Sequence, residues 1–446
     1  MLQFIKKILP EPLKKFLIAI KSKTIDSYQK KKFAKRMQIK HQELLRDLKG
    51  KEKIRVVFIV IHANTWKADE VFKRMLEDSF FEPIILVVPY ITYNGVSAIS
   101  IDRTIEVNAK SYNYFKARGY ETYSAIDEEG NIVRLVSDLN PDMVYFSCPY
   151  PETNKEFYSE VYENYLCFYI PYFYMIYSWD GDDKFYNTNF HNSMMRTYLP
   201  HRASYDKALD VSQADMRQWF LSGYPSCEKL YSQASEKQAW SSNSDNKIKL
   251  IWAPHHSIYE NMMPNLGSFL FVADFLKEIA IKYKDKLYIS FKPHPLLKAK
   301  LDDHIDWGVD KTNEYYSFWE QSGFSQLDEG EYIDLFIQSD AMLHDSSSFL
   351  AEYLFVEKPV MYIDFKNKFD GQFNSFGMKA YRSCLIAKST VDIELFVEDL
   401  LCGANQITKN HTAFLESEIY PFYKDKLPSE RIIEDIKKSL GALSVH

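Results

Sequence analysis

The sequence predicts an α/β protein with two doubly wound domains, each built on a parallel sheet, behind a basic amphipathic helical arm. Three observations support this. The length of 446 residues exceeds one typical core and suggests two domains of about 150–200 residues each. Apolar runs of strand length alternate with helical stretches, which is the pattern that builds parallel sheets. A polar segment at 232–246 separates two such series.

The predicted arm covers residues 1–50, which hold fourteen Lys and Arg against four acids, although the whole chain has a net charge of −6. Apolar residues alternate with lysines up to Lys21, and Pro10 and Pro12 interrupt the pattern. No run approaches the ~20 apolar residues that cross a bilayer, so we expect a helix lying on an anionic membrane surface. A helix packed on its own domain and a nucleic-acid arm are the alternatives. We expect no nucleic-acid partner, because no recognised module follows.

The first domain, predicted at 51–235, begins with the apolar run Ile54–Ile61, which is typical of a strand buried on both faces. The region 171–206 is dense in Tyr, Asp and Asn, and we expect it to be irregular and to face a cleft. The other elements predicted in this domain are a helix at 68–77, a strand at 84–88, a helix at 129–139, and strands at 143–146 and 166–170.

The second domain, predicted at 247–390, repeats this alternation. The final part, 391–446, is predicted to contain two helices, at 391–402 and 428–441, that cross back onto the first domain. The elements predicted in the second domain are strands at 248–252, 287–291, 341–343 and 359–363, and helices at 267–283, 331–338 and 347–356.

Motif content excludes several classes of protein. The five cysteines are widely spaced and odd in number, which fits a reducing cytoplasm rather than a zinc ribbon or a disulfide framework. The sequence has no Walker loop, no G-x-G-x-x-G and no G-x-S-x-G, which argues against an NTPase, a dehydrogenase and a hydrolase.

The run from Ser339 to Leu354 is the most informative segment. It predicts a short strand, a polar turn at Asp345 and a helix that begins at Ser346, Ser347 and Ser348. A helix start offers unpaired N–H groups and partial positive charge, so we expect these four residues to bind a phosphate. Glu352 lies one turn after Ser348 on the same face, where it could accept hydrogen bonds from a ribose. An ordinary N-cap is the alternative.

A second polar turn, Lys292-Pro293-His294-Pro295, follows another predicted strand. Ligands bind beyond the carboxyl ends of parallel strands, so the two turns should meet. We expect Lys292 to face phosphoryl oxygens and His294 to donate to a phosphate oxygen or protonate a leaving group.

Histidines also follow two neighbouring strands. His255 and His256 come after the strand at 248–252, and at most one of them should contact the donor; we assign that contact to His256. His344 either faces the same site or packs beneath it.

Taken in order, these segments resemble the CDP-glycerol glycerophosphotransferase family, whose members build teichoic-acid and capsule-type polymers. The resemblance covers roughly residues 165 to 365. The matching segments are Lys292–Pro295, Ser339-Asp340, Asp345–Ser348, Glu352 and Lys358-Pro359, with weaker matches at Trp252–Pro254 and Ser222–Pro225.

The resemblance implies two Rossmann-like domains facing a cleft, the glycosyltransferase-B (GT-B) arrangement. It implies a CDP-activated donor of a polyol phosphate and, as acceptor, a hydroxyl of a cell-surface polymer or its lipid-linked precursor. It also implies a peripheral position on the cytoplasmic face of the bacterial membrane. Two alternatives remain open: a GT-B glycosyltransferase that uses a nucleotide sugar, and a catalytically silent membrane-bound scaffold.

The sequence departs from the family where the acceptor base is expected. The family places a His-Gly pair after a strand of the first domain, and here the corresponding stretch, Tyr169–Phe173, contains no histidine. His62 and His191 are the candidate replacements. We favour His62, because the end of a first parallel strand normally opens on the site. The alternative is that His62 merely precedes the next helix.

An acidic cluster at 180–183, Asp-Gly-Asp-Asp, has the oxygen ligands of a divalent-metal site. Acidic turns of this composition are common, and we favour a solvated turn. Because helix ends and lysine can hold the phosphates, we expect no metal and no other cofactor.

Overall fold

The computed structural model describes residues 11–93, 95–178, 182–260, 262, 265–366, 371–404 and 406–441, and side chains from residue 26 onward except those of 182 and 183. The chain divides into two units. Unit 1 comprises Met1–Tyr172, Gly181–Ser222 and Ser429–His446, and unit 2 comprises Phe173–Asp180 and Gly223–Pro428.

Unit 1 is built on nine described strands. They are β1 Ile54–Val60, β2 Phe81–Val87, β3 Thr92–Tyr93, β4 Ser97–Ala98, β5 Thr122–Ser124, β6 Met143–Phe146, β7 Leu166–Tyr169, β8 Arg196–Leu199 and β9 Trp219–Leu221. Seven of them form one sheet in the order β5-β2-β1-β6-β7-β8-β9, in which every pair is parallel. β3 and β4 form a small antiparallel pair.

Helices cover the sheet of unit 1 with apolar faces. The helix Asp69–Glu77 buries Val71, Phe72 and Met75, whose spacing places them on one face. β1 is buried along nearly its whole length, as its continuous apolar sequence predicts. The helices of unit 1 are Glu11–Asp47, Asp69–Glu77, Ile101–Lys116, Ser159–Tyr162, Asn189–Ser193 and Arg202–Val211, together with most of Pro428–Ser439.

The N-terminal helix Glu11–Asp47 packs on unit 1 through its second half. Ala34 and Met37 are buried, and a ring nitrogen of His41 hydrogen-bonds with the Ser193 carbonyl at 2.9 Å. This is the packing that the sequence left open as an alternative.

The predicted membrane stripe lies on the first half of this arm, at 1–21. Residues 1–10, and all side chains of the stripe, lie outside the described residues. None of the helices in the described part of the chain has both the length and the apolar character of a membrane-spanning segment.

Unit 2 is built on six described strands. They are β10 Ile248–Ala253, β11 Leu287–Phe291, β12 Ser325–Leu327, β13 Ala341–His344, β14 Val360–Ile363 and β15 Leu385–Ala387. They form a parallel sheet in the order β12-β11-β10-β13-β14-β15, the strand order of dinucleotide-binding folds.

The helices of unit 2 follow its strands in the alternation that the sequence predicts. They are Glu228–Ser232, Phe269–Lys282, Leu297–Asp302, Gly308–Gln321, Ile333–Gln338, Phe349–Glu352, Ser375–Ser383, Thr390–Leu401, Lys409–Phe414, the π-helix Leu415–Ile419, and Tyr420–Tyr423. Of the two C-terminal helices predicted to return to the first domain, Thr390–Leu401 lies in unit 2 and most of Pro428–Ser439 lies in unit 1.

Two local predictions in unit 1 are wrong. The helix expected at 129–139 is a turn followed by a short 3-10 helix, Val136–Leu139. The turn forms because Gly130 has a φ of +84° and the Asp127 carboxylate accepts the N–H of Asn131. The region 171–206, expected to be irregular, contains β8 and the helix Asn189–Ser193.

The boundary between the units lies after Ser222, earlier than the polar segment at 232–246. That segment packs on unit 2, where Trp240 is buried and donates its indole N–H to the Leu335 carbonyl at 3.1 Å.

Candidate active site

The sheet of unit 2 has its topological switch point between β10 and β13. To one side of β10 lie β11 and β12, and to the other lie β13, β14 and β15. In such sheets ligands bind beyond the carboxyl ends of the strands at this point. The loops after β10, β11 and β13 at this edge are 254–257, 292–295 and 345–348, and the last two are the turns that the sequence predicted to meet.

Asp345 joins the first and last of these loops. Its carboxylate accepts the N–H of His255 at 2.5 Å and, with the other oxygen, the N–H of Ser268. The side chain is buried, and burial raises the pKa of Asp345 to about 7 while the backbone N–H donors act to lower it. Asp345 therefore shapes the site from within, which corrects the predicted contact with substrate.

A close approach of two backbones fixes the loop after β10. Ser257 Oγ accepts the N–H groups of Leu266 and Gly267 at 2.9 and 2.8 Å. A Cβ on Gly267 would lie 2.7 Å from the Ser257 carbonyl oxygen, so glycine is required there.

Three histidines form a cluster at this edge of the sheet. The ring centroids of His256 and His294 lie 4.2 Å apart, and those of His255 and His256 lie 4.3 Å apart. His255 is buried and the other two are partly exposed. The structure thus brings together His294 and His256, the two that the sequence assigned to the donor, with His255 beside them.

The two partly exposed rings of the cluster are already engaged at Nδ1. Nδ1 of His294 accepts the N–H of Leu296 at 3.1 Å. Nδ1 of His256 lies 2.6 Å from the Lys300 ammonium, which has only protons to offer. An imidazole that accepts at Nδ1 carries its proton on Nε2 when it is neutral.

The neutral state of these rings follows from their burial. Burial lowers the pKa of His294 to about 3 and that of His256 to about 4, so both rings are neutral near pH 7.

The three histidines lie close enough together, and are of the right residue type, to bind a transition metal. The Nε2–H groups, however, donate hydrogen bonds, and donors suit a phosphate oxygen better than a cation.

Lys292 is placed differently from the prediction. Its side chain is buried, and its ammonium donates to the carbonyls of Gly330 at 2.8 Å and Asp328 at 3.3 Å. Burial lowers the pKa of Lys292, and nearby acidic residues act to raise it. Lys292 therefore connects the end of β11 to the loop after β12, which corrects the predicted contact with a phosphate.

The turn of three serines is followed by a helix, as predicted, but the serines differ in their exposure and contacts. The α-helix that follows is only Phe349–Glu352, continued by a 3-10 helix, and the Ser348 side chain does not cap it. Ser346 and Ser347 are buried, and a hydrogen bond joins Ser347 to the Tyr177 hydroxyl. Ser348 is exposed and is the serine most accessible to a ligand.

Two other predicted residues lie in the interior near this turn. Glu352 is buried and accepts the hydroxyl of Tyr332 at 2.5 Å. His344 packs beneath the site: its ring lies 4.8 Å from that of Tyr362, and its Nδ1 lies 3.1 Å from the Ser346 carbonyl. Nε2 of His344 has no hydrogen-bond partner among the described residues.

The turn that contains His294 and the serine turn are connected through the loop between them. The backbone N–H of His294 donates to the Pro254 carbonyl at 3.1 Å. The residue after Pro254 is His255, whose own N–H is held by Asp345. Two backbone donors and one buried carboxylate therefore fix the relative positions of the three loops.

In unit 1, His62 follows β1 as predicted and is partly exposed, with its ring edge-on to Tyr90 at 4.6 Å. Burial lowers the pKa of His62 to about 4.

His191 is buried within a short helix, with Nδ1 2.7 Å from Thr188 Oγ1, so its role is structural. Part of the acidic cluster at 180–183, and the side chains of its acids, lie outside the described residues.

Sequence reasoning missed Lys300. It lies on the helix Leu297–Asp302 that follows the turn of His294, and its ammonium reaches back to His256. In the sequence, Lys300 is a lysine in a helix shortly after the polar turn of His294, and lysines in such positions are too common to indicate a function.

Comparisons with solved structures give the same fold at low identity. A variant of the wall teichoic acid polymerase TagF matches at 14% identity and a TM-score of 0.57, covering 94% of this chain and 98% of that one. The UDP-GlcNAc 2-epimerase of Neisseria meningitidis bound to UDP-GlcNAc matches at 14% identity and a TM-score of 0.52, covering 86% of this chain and 100% of that one. These matches confirm the predicted α/β fold class. Comparison with curated proteins gives no match.

A family model identifies the chain more directly. The model for CDP-glycerol:poly(glycerophosphate) glycerophosphotransferase matches residues 199–438, more than half of the chain. The match contains the histidine cluster, the serine turn and Asp345. The chain therefore belongs to the CDP-glycerol:poly(glycerophosphate) glycerophosphotransferase family.

Proposed function

We propose that this protein transfers glycerophosphate from CDP-glycerol to a hydroxyl of a cell-wall polymer or its lipid-linked precursor, with the donor bound at the switch point of unit 2. Membership in the family makes the protein a CDP-glycerol-using transferase. The main evidence for the location of the site is the histidine cluster that follows β10 and β11, beside the switch point and inside the region that matches the family. The cluster offers Nε2–H donors where a parallel sheet of this order binds a ligand.

The reaction is an attack of the acceptor hydroxyl on the outer phosphorus of the donor. A new P–O bond forms to the acceptor, the bond to the bridging oxygen breaks, and CMP leaves. A phosphate monoester has a second pKa of about 6, so CMP departs well as an anion and needs hydrogen bonds and charge more than a proton. His294, with its proton on Nε2, donates to the bridging oxygen or a phosphoryl oxygen.

The other roles follow from exposure and position. Ser348 is the exposed serine of the turn and donates to a phosphate, with Ser347 and Ser346 shaping the turn beneath it. Glu352, one turn further, is buried and accepts the Tyr332 hydroxyl at 2.5 Å, so it supports the turn from within, in place of the predicted contact with a ribose. His62 of unit 1 removes the proton from the acceptor hydroxyl, since its ring is neutral and partly exposed.

The test is CMP release from CDP-glycerol by the wild type, His294→Ala and His304→Ala. His304 is a matched control in unit 2, partly exposed and outside the cluster, where its ring stacks on Tyr259. Loss of one preorganised donor should lower kcat by about 10²–10³-fold in His294→Ala, with His304→Ala near the wild type. Equal rates in all three proteins would contradict the role of His294.

Nucleotide release and nucleotide binding together separate the alternatives. A nucleotide-sugar glycosyltransferase would release UDP from UDP-sugars and leave CDP-glycerol intact. A silent scaffold would bind neither nucleotide in calorimetry.

For the N-terminal arm we propose binding to an anionic membrane surface at the cytoplasmic face. The excess of Lys and Arg over acids in residues 1–50 supports this. On the same helix, within its described side chains, Tyr28 is 69% exposed and Ile39 is 52% exposed. The test is co-sedimentation with phosphatidylglycerol vesicles, in which removal of residues 1–25, the segment that contains the alternating apolar residues and lysines, should weaken binding. Retained binding would contradict the proposal.

A further inference from the structure

Lys300 lies beside the histidine cluster, and its ammonium contacts neutral groups. It lies on the helix Leu297–Asp302, and its ammonium contacts Nδ1 of His256 at 2.6 Å and the Met262 sulfur at 3.4 Å. No carboxylate pairs with it in the part of the chain that the structure describes. The positive charge of Lys300 is therefore held among neutral groups.

A second lysine on the same helix shows the ordinary arrangement. Lys298 pairs with the Asp302 carboxylate at 3.8 Å and donates to the Asn313 side chain at 2.7 Å. It lies two residues from Lys300, and it gives a matched control that differs mainly in its partners.

The charge of Lys300 acts on the whole histidine cluster. Burial is the main cause of the lowered pKa of His255, His256 and His294, and the charge of Lys300 lowers the pKa of all three further. Partial burial lowers the pKa of Lys300 itself. A cation held among neutral imidazoles is stabilised when an anion arrives.

The hydrogen bond to His256 fixes the direction of the ammonium. An ammonium has three N–H groups; one is used on His256 and one on the weak sulfur acceptor of Met262, which leaves a donor for a ligand. His256 accepts at Nδ1 and therefore presents Nε2–H. The contact with His256 therefore fixes where the remaining N–H group of Lys300 points.

We propose that Lys300, positioned by His256, binds the pyrophosphate of the donor and neutralises the charge that develops on CMP as it leaves. The proposal rests on the proposed function and assigns the positive charge of the site to Lys300, since Lys292 is engaged by backbone carbonyls. His256 is a positioning residue in this scheme.

The experiment measures binding of CDP-glycerol, CMP and cytidine by calorimetry, with kcat and KM for CMP release. The variants are Lys300→Met, Lys300→Arg and the matched control Lys298→Met. Loss of a partly buried charge contact should weaken CDP-glycerol binding by about 10–100-fold in Lys300→Met. Cytidine has no phosphate, so its affinity should not change, and Lys298→Met should resemble the wild type.

The positioning role of His256 has its own readout. The glutamine side chain of His256→Gln can still accept a hydrogen bond from Lys300, so this variant should keep most of the affinity for CDP-glycerol. Phenylalanine in His256→Phe cannot accept a hydrogen bond, so this variant should lose as much affinity as Lys300→Met. The melting temperatures of the variants verify that they fold. Lys300→Arg keeps the charge and should retain most of the affinity for CDP-glycerol, so it provides a second comparison if Lys300→Met is unstable.

The outcomes separate this inference from the proposed function. If the wild type binds CDP-glycerol and Lys300→Met binds it equally well, the inference is wrong and the proposed function stands. If the wild type does not bind CDP-glycerol at all, both fail. Equal losses for CDP-glycerol and cytidine would show a general distortion of the site and would also overturn the inference.

Discussion

The carboxylate of Asp345 accepts the backbone N–H of His255 at 2.5 Å, and this contact joins the loops that follow β13 and β10 across the switch point. A carboxylate is suited to this position because it has acceptors only and faces two backbone donors. The residue that the sequence assigned to the substrate is instead the one that holds the histidines in place.

Replacement of Asp345 by Asn should therefore destabilise the protein. The amide can accept one of the two N–H groups but presents its own NH₂ to the other. A buried donor without an acceptor costs about 1–3 kcal/mol, which urea denaturation at pH 8 can measure as a lower free energy of unfolding. Asp340→Asn is the control, because Asp340 is exposed and accepts the N–H of Lys249 at 2.7 Å. Equal stability of the two variants would show that the two amides do not depend on Asp345.

Gly267→Ala should distort the histidine cluster. The new Cβ would lie 2.7 Å from the Ser257 carbonyl oxygen, which belongs to the backbone and cannot rotate away. Such overpacking costs about 1–3 kcal/mol, and the shift of the loop should also lower CMP release. Gly330→Ala has no described heavy atom within 4 Å of the new Cβ and should behave as the wild type. A Gly267→Ala enzyme with normal activity and melting temperature would refute the close approach.

His62→Gln should lower kcat with a polymer acceptor by about 10²–10⁴-fold, the usual contribution of a general base, and leave the affinity for CDP-glycerol unchanged. Tyr90→Phe keeps the ring contact with His62 and is the control. A His62→Gln enzyme with a normal rate would exclude His62 as the base.

The pH profile of the wild type gives an independent test of the same residue. Because burial lowers the pKa of His62 to about 4, its ring stays neutral and able to take a proton well below pH 6.5. The rate should therefore stay level from pH 8 to pH 5 and fall only towards pH 4. A rate that halves near pH 6.5 would show a solvated histidine as the base.

The stability of the fold should fall between pH 7 and pH 5. Burial lowers the pKa of His191 and His344 to about 3 and that of His41 to about 4, from an ordinary value of 6.5. Below pH 6.5 the unfolded chain takes up protons that the folded chain does not, and each such proton costs about 1.4 kcal/mol per pH unit.

Asp345 acts in the opposite sense, because its pKa is raised from 3.8 to about 7 and the folded state holds a proton that the unfolded chain releases in this range. The several histidines outweigh this one carboxyl. The urea midpoint should therefore be lower at pH 5 than at pH 7, and an equal or higher midpoint at pH 5 would contradict the burial of the histidines.

The sequence was sufficient for the strands that form largely apolar runs and for the loops that follow them at the switch point. Strands such as Leu287–Phe291 and Met143–Phe146 are predicted at their observed bounds, since continuous apolar runs between polar turns leave few alternatives. Strands β8 and β9 were missed, because they begin with Arg196 and Trp219 in place of an aliphatic run.

Within the site, the sequence identified the correct loops but not what each side chain does there. Lys292 and Asp345 are both charged residues at strand ends, yet both are buried and hydrogen-bonded to backbone groups. The paths of the neighbouring loops supply those backbone groups, and a sequence does not show these paths. Lys300 was missed for the converse reason, since its partner His256 lies 44 residues away in the chain.

The most direct test is a crystal structure of the protein with CDP-glycerol, and specifically the distance from Nε2 of His294 to the nearest phosphate oxygen. We predict a hydrogen bond of about 2.7–3.2 Å, with the pyrophosphate between His294, Lys300 and the turn at Ser348. A donor bound elsewhere, with this edge of the sheet of unit 2 unoccupied, would contradict the assignment of the active site.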